Sequence, residues 1–241
     1  AEDGIRDSVA SRGLGDVYKR QNIIMQLKDI HNQLPQRRRK ILGPLARALL
    51  KKQRWKIIGE IPNINKMVLI GAPHTAYRDA WFGLLAILSL DIKVKFFGAK
   101  WMFTRLPSPI HFSKNLDRQG IPWPFGWLQK YLILRLGGIP VFREVRKGLI
   151  NSATTTLKEL DSFILCIAPE GGLKHVETLK SGYYYISKEL DIPYVPIEMD
   201  FKNKRFKIHK PRKVLDTFEK DSLEVKKIFD GVVGCKRTFK R

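Results

Sequence analysis

A chain of 241 residues, 44% apolar and 10% aromatic, is long and greasy enough for one sizeable core, which excludes a disordered or low-complexity protein. Its formal charge of +22, from 45 Lys and Arg against 23 Asp and Glu, points to a polyanionic partner, either nucleic acid or anionic lipid. Two cysteines, Cys166 and Cys235, exclude a disulfide framework and a clustered-ligand zinc site; Cys166, inside FILCIA, is expected to be a buried thiol in a reducing compartment.

In chain order, residues 1–21 (AEDGIRDSVASRGLGDVYKRQ) show no clean periodicity and no apolar run of the secretory kind. They resemble translated adapter read-through and are set apart from the fold. Residues 22–60 form a basic segment containing PQRRRKILGPLARALLKKQRWK, with Pro44 suited to the first turn of a helix. At 100° per residue Lys40, Arg47 and Lys51 share one side, opposite Leu42, Leu45 and Leu49. Such a helix either packs on the core as an ordinary surface helix or lies on a membrane with its apolar face down.

From residue 61 to 241 the pattern alternates strand and helix. MVLIGA (67–72) predicts a short buried strand, Arg78 to Leu90 an amphipathic helix, and IKVKFFGA (92–99) a second strand. A helix over 124–136 ends at Gly137-Gly138 and leads into the strand IPVFRE. Gly148 to Leu160 predicts a helix, FILCIAPEGG a strand and Gly-rich turn, and Gly182 to Leu190 another helix. PYVPIEMD is a further strand, with KRFKIHK as its antiparallel return. This order predicts a single α/β layered domain, with a mostly parallel central sheet flanked by helices. The longest strongly apolar stretch, Ala80 to Leu90, is far shorter than the roughly 20 residues a spanning helix needs, so a soluble or peripheral protein is expected.

In parallel sheets, sites gather at the carboxyl ends of strands. His74, Arg143 and Glu170 all fall at or just past the end of a predicted strand. His74 and Asp79 are five residues apart, a 140° turn on a helix, so they cannot share a helical face. With Pro73 fixing the approach, His74 can sit in the loop and Asp79 in the first turn of the next helix. The carboxylate can then accept from one ring nitrogen and leave the other free to take a proton from a hydroxyl. The alternative is a structural histidine at the helix start. The stretch IPWPFGWLQKYLIL raises a second pair of readings: Trp123, Phe125, Trp127 and Tyr131 are either core or an interfacial belt or tunnel wall.

The ordered set of motifs resembles the glycerolipid acyltransferase family, of the lysophosphatidate acyltransferase type. APHTAYRD matches its His-x4-Asp motif, GAKWMF (98–103) its second block, and GGIPVFR (137–143) its third. APEGG (168–172) matches its Glu-Gly motif and YVPIEM (194–199) its closing Val-Pro strand, so the resemblance spans about residues 60–200. It implies transfer of a fatty acyl group from acyl-CoA or acyl carrier protein to the hydroxyl of a lysophospholipid at the cytoplasmic membrane surface, in phospholipid biosynthesis or remodelling. Glycerol-3-phosphate or a non-glycerol lysolipid is the alternative acceptor. By the same resemblance His74 is the general base and Asp79 its orienting carboxylate, and no covalent acyl-enzyme is needed. Consistently, the chain has no GxSxG nucleophile elbow.

Further roles follow from the resemblance. Arg143 would hold an anionic group of the acceptor, where a guanidinium fits phosphate bidentately. Gly171 and Gly172 would let backbone amides approach the acceptor or the thioester oxygen, and Glu170 would orient that loop. Lys100 and Lys180 are the other cations assigned to substrate binding. The chain departs from the family at Gly172-Leu173, where a hydroxyl and a cation are missing, although Lys174 and Lys180 lie nearby. No metal, nucleotide-loop or redox-cofactor motif is visible, so the only co-substrate expected is the thioester. A nucleic-acid-binding module is the rival from another class, but no helix-turn-helix, zinc finger or RNP-like motif occurs. An acyltransferase-like lipid binder that has lost catalysis is the other, and the intact His74–Asp79 pair counts against it.

Overall fold

The structure, a computed structural model, describes residues 33–108, 118–141, 149–173 and 175–240. In chain order the elements are α1 (Leu42–Lys52), β1 (Lys56–Ile58), β2 (Lys66–Ala72), α2 (Tyr77–Ser89), β3 (Val94–Ala99) and a 3-10 turn (Lys100–Phe103). A two-stranded ribbon of β4 (Arg105–Leu106) and β5 (Ile121–Pro122) follows, then α3 (Gly126–Arg135), β6 (Gly138–Val141) and α4 (Leu149–Lys158). The remainder is β7 (Phe163–Ile167), α5 (Gly182–Glu189), β8 (Tyr194–Asp200), β9 (Arg205–Ile208) and α6 (Phe218–Phe229).

Seven strands form one sheet in the order β1-β9-β8-β2-β7-β3-β6. The run from β8 to β6 is parallel throughout, while β9 returns antiparallel to β8 and pairs with β1 in parallel. The α/β class with a mostly parallel sheet therefore stands, as the strand–helix alternation predicts. β2 lies at the centre because its run of apolar residues can be covered on both faces. Its alternation sends Val68, Ile70 and Ala72 into one core with Leu165, Tyr183, Tyr194, Val225 and Phe229. Met67 and Leu69 enter another with Val94, Ile164, Val195 and Ile208.

Helix α1 docks through Ala46 and Leu50 onto Phe82 and Leu85 of α2, with Trp55 stacked on Phe82 at 4.5 Å. Leu49 joins this core as a partly buried residue, whereas Ile41, Leu42 and Leu45 stay exposed. The expected apolar face is thus divided between core contact and an outward ridge. The N-terminal strand and helix boundaries otherwise shift by one or two residues. Strand IPVFRE is observed only as far as Val141, because 142–148 lie outside the described residues.

Helix α6 has no counterpart in the sequence-based elements. Thr217 caps it by accepting from Lys220 N (3.4 Å), with Glu219 and Asp221 in its first turn and Lys226 and Lys227 in its last. Asp221 is fully buried yet satisfied by Tyr183 Oη (2.8 Å), Tyr194 Oη (3.2 Å) and Leu215 N (3.0 Å). This knot fastens α6 and α5 to β8.

Candidate active site

After β7 the chain crosses β2 to reach β8, so the carboxyl end of β2 is flanked by loops that leave in opposite directions. This is the switch point where parallel sheets leave a crevice. The β2–α2 loop, Pro73 to Ala76, occupies it, entered through a cis Ala72–Pro73 peptide bond. His74 lies in this loop with a quarter of its side chain exposed, and Asp79 lies at the third position of α2, wholly buried.

Asp79 Oδ2 gathers the start of the helix. It accepts from Ala76 N (2.8 Å), from Thr75 Oγ1 (3.2 Å) and from Thr75 N. A carboxylate there also faces the positive end of the helix dipole. His74 Nδ1 stands 3.8 Å from the same oxygen, within ion-pair range but longer than a hydrogen bond. Asp79 Oδ1 is buried without a hydrogen-bond partner among the described residues. The imidazole needs to move by only about 1 Å to engage the carboxylate, and such tightening on substrate binding is usual for catalytic pairs. Nδ1 is the nitrogen turned to Asp79.

Glu170 sits just past β7 and is 2% exposed. Its Oε2 accepts from the backbone N–H of His74, and its Oε1 pairs with Arg237. Burial raises its pKa, opposed by the His74 amide and by Arg237, and the Asp79 charge raises it further. Gly171 follows at φ +67°, where a Cβ would lie 2.7 Å from the Lys180 stem. Its amide is committed to Ala168 O (2.9 Å), closing a turn, so it does not offer the free donor expected of it. Gly172 has open space where a Cβ would be. Lys180 is exposed, its amide bound to Pro169 O (2.7 Å) and its stem against Gly171. Lys100 is exposed at the carboxyl end of β3, two strands away from β2. Arg143 and Lys174 lie outside the described residues.

Sequence reasoning missed the partners supplied from beyond β9. Residues 232–239 form a short antiparallel turn, with Phe239 N on Val232 O (2.8 Å) and Gly234 N on Arg237 O (2.9 Å). It lies across the loop: Lys236 N donates to Thr75 Oγ1 (3.0 Å), and Arg237 donates to Leu173 O as well as pairing with Glu170. A Cβ on Gly234 would be 2.8 Å from both Pro73 and Thr75, so only glycine permits this approach. Nothing in CKRTFKR separates Arg237 from the other cations among the chain's 45 Lys and Arg, and a partnership across the chain leaves no local spacing to read.

Among the described residues no group of three or more His, Cys, Asp or Glu could hold a metal, and no helix is long and apolar enough to cross a membrane. The stretch 121–134 is resolved in favour of the surface: Trp127 is 69% exposed and Phe125 and Tyr131 are each 52% exposed, while Trp123 is half-buried. Tyr77 and Trp81, on α2 beside His74, are exposed too, and Tyr77 meets the Trp101 ring edge-on at 6.4 Å.

The fold is similar to that in the crystal structure of PlsC, the 1-acyl-sn-glycerophosphate (LPA) acyltransferase from Thermotoga maritima. That match has a TM-score of 0.51 at 17% identity and covers 78% of this chain and 75% of that one, a likeness of fold. No protein-family model matches the chain, and no curated protein does.

Proposed function

We propose that this protein transfers a fatty acyl group from acyl-CoA or acyl carrier protein to the hydroxyl of a lysophospholipid, with lysophosphatidate as the acceptor of choice. The observation that carries the reading is His74 beside the buried Asp79 at the carboxyl end of β2, in a fold shared with an LPA acyltransferase. His74 Nε2 takes the proton of the acceptor hydroxyl as its oxygen attacks the thioester carbonyl. The tetrahedral adduct collapses to the ester, the C–S bond breaks, and the imidazolium returns its proton to the departing thiolate. Asp79 holds the ring and stabilises its transient charge. Arg143 meets the acceptor phosphate.

The test is to incubate purified protein with labelled acyl-CoA and a panel of lysolipids. Transfer to lysophosphatidate is expected, and its absence with every donor and acceptor overturns the proposal. A charge-assisted contact contributes roughly 1.5–3 kcal/mol, so Arg143→Ala should lower kcat/KM for the anionic acceptor by about ten- to a hundredfold and spare a neutral one. Equal slowing of both, or of neither, would make Arg143 a structural residue.

The acceptor lies in a bilayer, and the surface beside the site suits one. The sequence from 118 to 141 contains no Asp or Glu, so Phe125, Trp127 and Tyr131 are interleaved with cations alone, Lys130 and Arg135 among them. A second copy of the same surface would set cation against cation, whereas aromatics and Lys or Arg together fit anionic headgroups. Each cation adds about 1 kcal/mol there, weakened by salt. Flotation with anionic vesicles is expected to fall as salt rises and to fall again in Trp127→Ser/Tyr131→Ser or Leu42→Ser/Leu45→Ser protein. Equal flotation with neutral and anionic vesicles counts against this surface, and tight sequence-selective binding of DNA or RNA would favour the nucleic-acid rival.

A further inference from the structure

We infer that residues 232–239 act as a strap that sets the His74–Asp79 geometry, with Arg237 as its positioning residue. The inference rests on the reading of His74 as a base, although its geometric part stands without it. Two routes run from the strap to the pair. In one, Lys236 N holds Thr75 Oγ1 (3.0 Å), and Thr75 donates to Asp79 Oδ2 through both its hydroxyl (3.2 Å) and its amide. In the other, Arg237 pairs with Glu170, and Glu170 accepts from the His74 backbone amide. The carboxylate and the histidine backbone are therefore fixed by adjacent residues of one turn.

The strap is itself anchored. Phe239 is buried against Phe229 of α6 at 5.7 Å, and Val233 O accepts from Phe201 N (2.8 Å) at the end of β8. Arg237 is bound at two points, since it also donates to Leu173 O, which belongs to the Glu-Gly loop. It thus ties three chain segments together at one guanidinium, a task for a planar fork rather than an ammonium. Among the described residues, removing it leaves a buried carboxylate facing Asp79 with only the His74 amide in support.

The chemistry that follows is specific. Glu170 holds the His74 amide best when ionised, because a charged acceptor makes the stronger bond. Arg237 opposes the rise in Glu170 pKa that burial and the Asp79 charge cause. Without Arg237 that pKa rises further, the carboxyl is protonated at higher pH, and the His74 backbone loosens. Misplacement by about 1 Å costs on the order of a hundredfold in rate.

The experiment compares wild type with Arg237→Ala, Arg237→Lys and Arg237→Ala/Glu170→Gln, the last removing the unpaired buried charge so that the protein stays folded. Two quantities are read: the exchange rate of the His74 amide by NMR of 15N-labelled protein, and acyl transfer from labelled acyl-CoA to lysophosphatidate across pH. Arg237→Ala is expected to lose amide protection and to lower kcat about ten- to a hundredfold, with KM for either substrate little changed. Its acid limb should move to higher pH. Arg237→Lys should recover part of the rate and return the limb, and the double variant should remain slow without the displaced limb. Unchanged amide exchange or unchanged kcat in Arg237→Ala overturns the strap. If wild type transfers no acyl group, the proposed function fails, while the amide exchange still decides whether Arg237 positions His74.

Discussion

His74→Ala protein is expected to fold normally and to lose acyl transfer by roughly 10²–10⁴-fold, the usual share of a general base. The side chain is partly exposed and belongs to none of the three cores, so its removal leaves no cavity of consequence. Its backbone amide remains available to Glu170 in the variant. Thermal unfolding of the variant should therefore match wild type while turnover of labelled acyl-CoA with lysophosphatidate collapses. Among the described residues, the other titratable groups at the carboxyl end of β2 are a carboxylate held by Arg237 and a carboxylate held by the helix start, neither placed to substitute for the imidazole. Near-normal turnover would end the catalytic reading of this loop.

Asp79→Asn should separate two roles that one carboxylate combines. Its oxygen binds the first amides of α2, and an asparagine oxygen can still accept from Ala76 N and Thr75 N. The loss of charge at the helix start and the weaker cap should cost about 0.5–2 kcal/mol, visible as a lower denaturation midpoint. The larger effect is expected in kcat, by roughly 10²–10⁴-fold, because an amide neither holds the imidazole in the required tautomer nor stabilises its positive form. The paired measurements are the denaturation curve and the pH dependence of kcat. A stability loss with kcat intact would reduce Asp79 to a cap and make His74 a structural neighbour of it.

How far the chain could be read before its fold was known differs from element to element. β2, β7 and β8 announced themselves as short apolar runs bounded by Gly, Pro and charge, because strands covered on both faces need nothing else. β1 and the β4–β5 ribbon, at three residues and two each, are too short to carry a period. Helix α6 carried readable signals in Thr217, its early acids and its late lysines, but much of its buried face is polar: Asp221 and Ser222 are buried beside Val225 and Phe229. The aromatics of 121–134 show another limit, since composition states what a segment could bury and not whether anything covers it. At the candidate site, ordered motifs singled out His74, Asp79 and Glu170, which the fold brings together. Thr75 and Arg237 act through partners that proximity in sequence does not connect, and Gly171 spends its amide on a turn that only the backbone reveals.

The strand order has one more consequence, for the time at which the site comes into being. His74 is 96 residues from Glu170, and Glu170 is 67 from Arg237. β2 finds both neighbours, β7 and β8, in segments made much later than itself. Such distant pairings form slowly and late. A ribosome therefore releases the histidine segment well before the residues that organise it exist, and the candidate site of each nascent chain stays incomplete until its sheet has closed around β2. On the proposed function, competence for acyl transfer is then a property of the finished molecule, and the rate at which it appears after synthesis would time the last step of folding rather than the first.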